Sequence, residues 1–294
     1  MHAITYESPK TIADAVKLLA AHGEKARPLS GGTDLIIQLR AGTRRPEYVV
    51  DVKSIPELSR ISFSLQHGLH LGAAVSCIEI YENADMRHYY PGLTEAAHLI
   101  GSLQIQSRAS VGGNLCNGSP AGDSTPALIA LGAKARLVGP KGERVVPVET
   151  FITGPARTVL QPGELLIELL IDAPAPHSSD AYLRFIPRNE MDIAVVGVGG
   201  SITLDLDDDR VVDARIALGA VGPTPIFAAE ASKSLIGKKF DAAALDNAAR
   251  LATSVATPID DMRGTAEFRR HIVGVLTRRV LTTAAERARQ SEQR

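Results

Sequence analysis

Two short stretches of the sequence concentrate small residues in a way that suits an anion. The first, Leu29-Ser30-Gly31-Gly32-Thr33-Asp34-Leu35, joins a strand-like run to the start of a helix-like one. Consecutive glycines let the backbone take positive φ and approach a ligand closely. The following N–H groups, with the Ser30 and Thr33 hydroxyls, are donors for phosphate oxygens. A plain tight turn accounts for the same residues. The second stretch, Ser110-Val111-Gly112-Gly113-Asn114, repeats the chemistry and is followed by Asn117, Ser119 and Asp123. A merely structural loop of that length does not need paired glycines together with hydroxyl, amide and carboxylate groups. One diphosphate is large enough to be held by two such segments from opposite sides. A carboxylate at Asp123 could accept hydrogen bonds from ribose hydroxyls or an adenine amine.

Other signatures are missing. The chain has no H-E-x-x-H, no complete P-loop and no G-x-S-x-G elbow, and its eight histidines lack metal-ligand spacing. Gly197-Val198-Gly199-Gly200 sits inside a strand pattern with no helix after it and no third glycine in register. A strand bulge or close packing explains it better than a dinucleotide fingerprint. Asn117-Gly118-Ser119 matches a glycosylation acceptor, which means nothing without a secretion signal. Cys77 and Cys116 form no C-x-x-C, which disfavours a disulfide framework, a structural zinc site and an iron–sulfur cluster within this chain. Two separated diphosphate-type segments without a Rossmann fingerprint point to a flavin nucleotide in a non-Rossmann fold.

The elements that must position these segments follow from periodicity and capping. Thr11 and Asp14 suit a helix N-terminus, Ile12, Ala15, Val16 and Leu19 form its apolar stripe, and Gly23 offers a C-cap. A strand at Arg27–Leu29 leads into the first glycine segment, a helix runs from about Asp34 to Gly42, and Glu47–Val52 is the next strand. A hairpin is expected over Arg60–Gly72, turning at His67-Gly68. A capping box at Ser76 and Glu79 starts a short helix, and another spans about Gly92–Ile100. After the second glycine segment come a helix near Pro126–Leu131, a hairpin through Gly139–Gly142 and a strand at Glu164–Ile171. Asp172–Asp180, rich in Pro and Ser, is the best linker. Beyond it lie strands near 181–187, 193–205 and 211–219, then helices near Asp241–Val255 and Thr265–Glu286. The last helix is expected to pack Phe268, Ile272, Val275 and Leu276 on a sheet and to expose Arg269, Arg270, Arg278 and Arg279.

Composition narrows the function. The 294 residues carry 32 Lys+Arg against 33 Asp+Glu, a formal charge of −1 that lacks the basic excess of nucleic-acid and anionic-membrane binders. Only 4% aromatic residues argue against single-strand stacking platforms. No apolar run approaches the ~18 residues of a membrane span, and the N-terminus has neither a basic nor an apolar signal region. A cytoplasmic protein without membrane insertion is expected.

Ser30–Leu35 and Ser110–Asp123 resemble the two FAD-binding segments of the flavoprotein (medium) subunit of molybdenum hydroxylases, the xanthine dehydrogenase and carbon monoxide dehydrogenase family. Tyr182–Arg188 with Asp192-Ile193-Ala194, Ala214–Pro225 and Pro258–Gly264 resemble that family's C-terminal motifs, so the likeness covers nearly the whole chain. The resemblance implies an α+β chain. A two-subdomain FAD-binding fold of the vanillyl-alcohol oxidase and p-cresol methylhydroxylase type would span 1–175, with subdomains about 1–57 and 58–175. A smaller α+β domain, a three-stranded sheet with helices, would span 176–294.

Carried over by position, Leu29, Ser30, Gly31, Gly32, Thr33, Asp34 and Leu35 would line the diphosphate, with Arg27 reaching the adenine or phosphate side. Ser110, Gly112, Gly113 and Asn114 would complete the clamp, with Asn117 near the diphosphate or flavin. Asp123 would hold the adenosine ribose, Ile100 would pack beside the nucleotide and Ile167 would lie against the isoalloxazine. Arg184 stands where several relatives have Lys, near the flavin's polar edge, which keeps the charge but changes the geometry. Arg188 and Asp192 suit a domain-junction ion pair or cap at least as well as a cofactor contact.

The resemblance also implies a division of labour. Molybdopterin and [2Fe–2S] clusters would reside on a large subunit and a small iron–sulfur subunit, and NAD or another acceptor would take the electrons. No general acid, base, nucleophile or metal ligand is expected on this chain. A free-standing flavoenzyme of the same fold, or a scaffold that has lost FAD, are the alternatives.

Overall fold

A computed structural model describes residues 3–291. The chain opens with β1 (Thr5–Glu7), α1 (Ile12–His22), β2 (Ala26–Leu29), α2 (Leu35–Ala41) and β3 (Tyr48–Asp51). The Thr11 hydroxyl accepts from the Asp14 N–H at the start of α1 and Gly23 closes it, as the capping pattern implies. The three strands form a parallel sheet in the order β1-β3-β2. The β2 strand therefore delivers Ser30 and the glycines to the carboxyl end of a parallel sheet, where open α/β units place their ligands.

The next stretch supplies β4 (Ile61–Ser64), β5 (Gly68–Gly72), α3 (Cys77–Glu82), α4 (Ala84–Tyr89), α5 (Pro91–His98), α6 (Leu103–Gln106), α7 (Val111–Asn117) and α8 (Ser124–Ala130). It continues through β6 (Lys134–Gly139), β7 (Gly142–Pro147), β8 (Ile152–Gly154), β9 (Arg157–Thr158) and β10 (Leu165–Ile171). Five of these strands pair antiparallel in the order β4-β5-β10-β6-β7, and β8 and β9 make a separate hairpin. The Ser76–Glu79 capping box is present, with both reciprocal hydrogen bonds. One core joins this sheet to α5, α7 and α8 through Leu69, Leu93, Leu115, Leu128 and Leu169. A second core seals α1 and β3 onto it through Val16, Val50, Leu58, Leu165 and Ile167. The two glycine segments thus hang from parts of the chain that share buried apolar surface.

The remainder comprises β11 (Ser178–Phe185), β12 (Val196–Asp205), β13 (Arg210–Gly219), β14 (Ile226–Phe227), α9 (Ala229–Lys233), α10 (Ala242–Val255) and α11 (Ala266–Gln290). The expected three-stranded sheet gains a fourth, two-residue strand, in the order β11-β12-β13-β14. The β14 strand is too short to leave a period-2 signature, which is why periodicity misses it. The glycines of β12 answer to packing. A Cβ on Gly199 would stand 2.5 Å from the Pro126 carbonyl oxygen of α8, and one on Gly200 would stand 2.7 Å from Val280 of α11. One face of the strand therefore meets the first domain and the other the last helix.

Two local expectations change. The strand β11 already begins at Ser178, so the irregular connection is Asp172–His177. Arg269, expected on a solvated face of α11, is buried and donates to the Val195 and Ala220 carbonyls at 3.3 and 3.2 Å. The apolar stripe of α11 runs instead through Val273, Leu276, Val280 and Leu281 and continues as Ala284, Ala285 and Ala288, where small side chains bring the helix close to the sheet.

Candidate functional site

The two glycine segments meet. Ser110 caps α7, its Oγ accepting from the Gly113 N–H at 3.1 Å, and the same Oγ lies 2.9 Å from that of Ser30. Gly31 permits this approach, because a Cβ there would stand 2.1 Å from the Arg108 carbonyl oxygen. Gly32 takes φ +79°, and a Cβ there would press on Leu29 and Ile36. Gly112 packs on Ala73, where a Cβ would come within 2.4 Å of the carbonyl oxygen. At Gly113 the neighbours are only Ser110 Oγ and, 3.9 Å away, Ser30 Cβ, so its missing side chain keeps a gap open between the two segments.

That gap opens into a cleft of about 630 Å³ between the first two subdomains, within the range of small-molecule sites. Of the residues singled out in the sequence, Arg27, Ser30, Gly31, Gly32, Thr33, Asp34, Leu35, Ile100, Ser110, Gly112, Gly113, Asn114 and Asn117 line it. Sequence reasoning missed Gln38, Arg44, Cys116, the β8–β9 hairpin with Arg157, and the Leu160–Leu166 turn and strand, which also line it. Arg44 and Arg157 carry no local motif, since each reaches the cleft only through tertiary folding.

The electrostatics favour an anion. Arg27 is half-buried, and both that burial and the neighbouring Arg44 push its pKa below the ordinary guanidinium value. A negative ligand would relieve both effects. The cleft carboxylate Glu164 is already engaged, taking both oxygens to Arg144 at 2.7 Å. Cys116 is only partly shielded from solvent, yet burial of its sulfur pushes its pKa up to about 12, as it does for Cys77. Neither thiol is a thiolate at neutral pH. Among the described residues no three His, Cys, Asp or Glu groups converge as a metal site.

Four expected residues stand outside the lining. Leu29 lies beneath the glycine loop, against Gly32. Ile167 sits at a register shift in β10, its carbonyl accepting from the Ala73 N–H at 2.9 Å. Its side chain points into the core shared with Val16, Leu58 and Leu165, and of this strand's start Leu165 and Leu166 are the residues that border the cleft. Asp123 and Arg184 form a buried ion pair at 2.7 Å, and Ser124, next to Asp123 in the chain, donates its hydroxyl to Asn114 Oδ1 at 2.7 Å. The Tyr182 hydroxyl donates to the other Asp123 oxygen at 3.0 Å. Burial raises the Asp123 carboxyl to about 6, against the lowering effect of Arg184 and Tyr182.

Arg188 and Asp192 pair at 3.3 Å, and neither is among the residues that line the cleft.

A diphosphate-bearing cofactor fits this donor set. Two glycine segments offer backbone N–H groups, two hydroxyls meet at their junction, and three guanidinium groups share the cleft. Arg184 Nε is buried with no hydrogen-bond partner among the described residues, a donor left for a polar ligand atom or water.

Comparison with known proteins agrees with this geometry. Residues 2–174 match the family model for the FAD binding domain in molybdopterin dehydrogenase, and residues 181–284 match the CO dehydrogenase flavoprotein C-terminal domain. The chain is 35% identical to the carbon monoxide dehydrogenase medium chain of Afipia carboxidovorans, covering 97% of each. It is 30% identical to a putative xanthine dehydrogenase FAD-binding subunit of Escherichia coli K12, again covering 97% of each. Among solved structures, a chain of cyanide-inactivated Cu,Mo-CO dehydrogenase superposes with a TM-score of 0.92 at 35% identity, over 97% of this chain and 99% of that one. A chain of quinoline 2-oxidoreductase from Pseudomonas putida 86 gives 0.89 at 28% identity, over 98% of each. With paired glycine segments in a cationic cleft and both domain models matched in order, the chain belongs to the FAD-binding medium subunits of the molybdenum hydroxylases, an oxidoreductase family.

Proposed function

We propose that this chain is the electron-transfer subunit of a cytoplasmic molybdenum hydroxylase complex, partnered by a small iron–sulfur subunit and a large molybdopterin subunit. FAD, when bound, supplies an exchange between the one-electron [2Fe–2S] clusters of a partner and a two-electron acceptor, NAD or another. The chain's own residues bind and orient. The backbone N–H groups around Gly31-Gly32 and Gly112-Gly113 hold the diphosphate, and the Ser30 and Ser110 hydroxyls turn from each other toward it. Arg27 and Arg44 neutralise its charge. Leu165, Leu166 and Ile100 exclude water from the apolar part of the cleft. Asp123 and Arg184 set a fixed charge pair outside the cleft lining. Nothing in this arrangement requires a general acid or base on this chain.

The observation that carries the proposal is the junction of the two glycine segments at Ser30 and Ser110, inside a cleft lined by Arg27, Arg44 and Arg157. Mixing the full chain with FAD tests it. A yellow complex with quenched flavin fluorescence is expected, and Gly113→Phe, whose ring would fill the gap between the two glycine segments, should abolish it. Failure of the unaltered chain to take up FAD would overturn the reading.

A further inference from the structure

Across the cleft, Gln38 of α2 donates from Nε2 to Oδ1 of Asn117, the last residue of α7, at 3.1 Å. The two residues come from different subdomains, and both line the cleft. The backbone that carries Gln38 is fixed, because the turn after α2 returns the Thr43 and Arg44 N–H groups to its main-chain carbonyl at 3.1 and 3.4 Å.

A primary amide has an acceptor end and a donor end, and nothing local decides which end faces a ligand. In the pairing observed, the Gln38 donor end meets the Asn117 acceptor end. This bond consumes the Asn117 carbonyl and leaves the Nδ2 hydrogens, which have no partner among the described residues, as the end available to the cleft. Rotating the amide would present an oxygen to the same cleft, next to backbone N–H groups and guanidinium groups arranged for an anion, and would repel a diphosphate.

We infer that Gln38 is a positioning residue that locks the Asn117 amide with its donor end available to the cofactor's diphosphate, and so helps the chain prefer FAD over a flavin lacking phosphate. The inference rests on the proposed reading that the diphosphate lies between the glycine segments. It adds a specificity role to a residue with no motif of its own.

The test is a double-mutant cycle on the full chain: Gln38→Ala, Asn117→Ala and the pair, each titrated with FAD and with riboflavin by flavin fluorescence. Gln38→Ala should weaken FAD binding about tenfold, the order expected when a hydrogen bond to a charged group is lost, and leave riboflavin affinity unchanged. In the Asn117→Ala background, Gln38→Ala should have no further effect on FAD. The thermal midpoint of each cofactor-free variant reports folding separately. Equal losses for FAD and riboflavin would reduce Gln38 to a structural contact and overturn the inference. An undiminished Gln38→Ala effect without Asn117, or none with it, would overturn it too. In both cases the unaltered chain still binds FAD, so the flavin reading stands. Failure of the unaltered chain to take up FAD removes both.

Discussion

Ser30 and Ser110, eighty residues apart, hold their hydroxyl oxygens 2.9 Å from each other across the boundary between two subdomains. The same Ser110 oxygen caps α7 through the Gly113 N–H. The two serines therefore differ in consequence. Ser110→Ala should destabilise the cofactor-free chain by about 1 kcal/mol through the lost cap, plus its share of the Ser30 contact. Ser30→Ala should cost only the contact, about 0.5–1.5 kcal/mol. Urea denaturation of both single variants and the pair would show it, and equal single losses would remove the capping role.

Gly31 marks where the segments touch most tightly. Gly31→Ala would drive a Cβ into the Arg108 carbonyl oxygen, 2.1 Å away, so the first subdomain must back off the second. A loss of about 1–3 kcal/mol is expected, with FAD affinity reduced more than tenfold and far-UV circular dichroism preserved. Unchanged affinity would mean that the clamp does not depend on this closure.

The Asp123–Arg184 pair predicts a specific asymmetry. Both side chains are almost wholly buried, so removing one leaves an uncompensated charge. Asp123→Ala should cost about 3–5 kcal/mol. Asp123→Asn, which keeps an acceptor for the Tyr182 hydroxyl, should cost less, and combining Asp123→Ala with Arg184→Met should recover part of the loss. Additive losses in denaturant titrations would argue against the pair acting as one unit.

Acid dependence follows from Asp180. Its Oδ2 accepts from the Leu93 N–H at 3.2 Å, while Oδ1 is buried with no hydrogen-bond partner among the described residues. Burial first, and then the nearby Glu95, raise its pKa to about 7; the Gly92 and Leu93 N–H groups and Arg287 act in the other direction. Between its ordinary value of 3.8 and about 7 the folded chain holds a proton that the unfolded chain has released. That stability is fully present below the lower value and is lost as pH rises through about 7. Asp123 acts in the same sense through about 6. Asp180→Asn should therefore flatten the fall in melting temperature between pH 5 and 8 and raise the midpoint at pH 8. An unchanged slope would remove Asp180 as its source.

What could be foreseen divides along physical lines. Local chemistry was legible: the Thr11 cap, the Ser76–Glu79 box, the Gly139–Gly142 hairpin and both glycine segments are encoded within a few neighbouring residues. Long-range electrostatics were not. Positional transfer placed Asp123 on a ribose and Arg184 at the flavin, and no local pattern announced that Arg184, sixty-one residues later, reaches Asp123 outside the cleft lining. Ile167, set against the isoalloxazine by the same positional transfer, packs its side chain in the core with Val16 and Leu58, which only tertiary folding reveals. Arg269 looks solvent-facing from its charge alone, whereas in the fold it is buried, pairs with Asp261 and donates to the Val195 and Ala220 carbonyls.

The last helix also ties the two domains together. Arg287 donates to the Asp180 carbonyl at 2.9 Å and pairs with Glu95, which precedes it by 192 residues. During synthesis at about 5–20 residues per second, Glu95 waits roughly ten to forty seconds for this partner. The domain junction can be finished only after Arg287 has emerged, when every residue of the cleft is already out. The order of manufacture therefore leaves an interval in which the cleft can form and load while its neighbour is still being made.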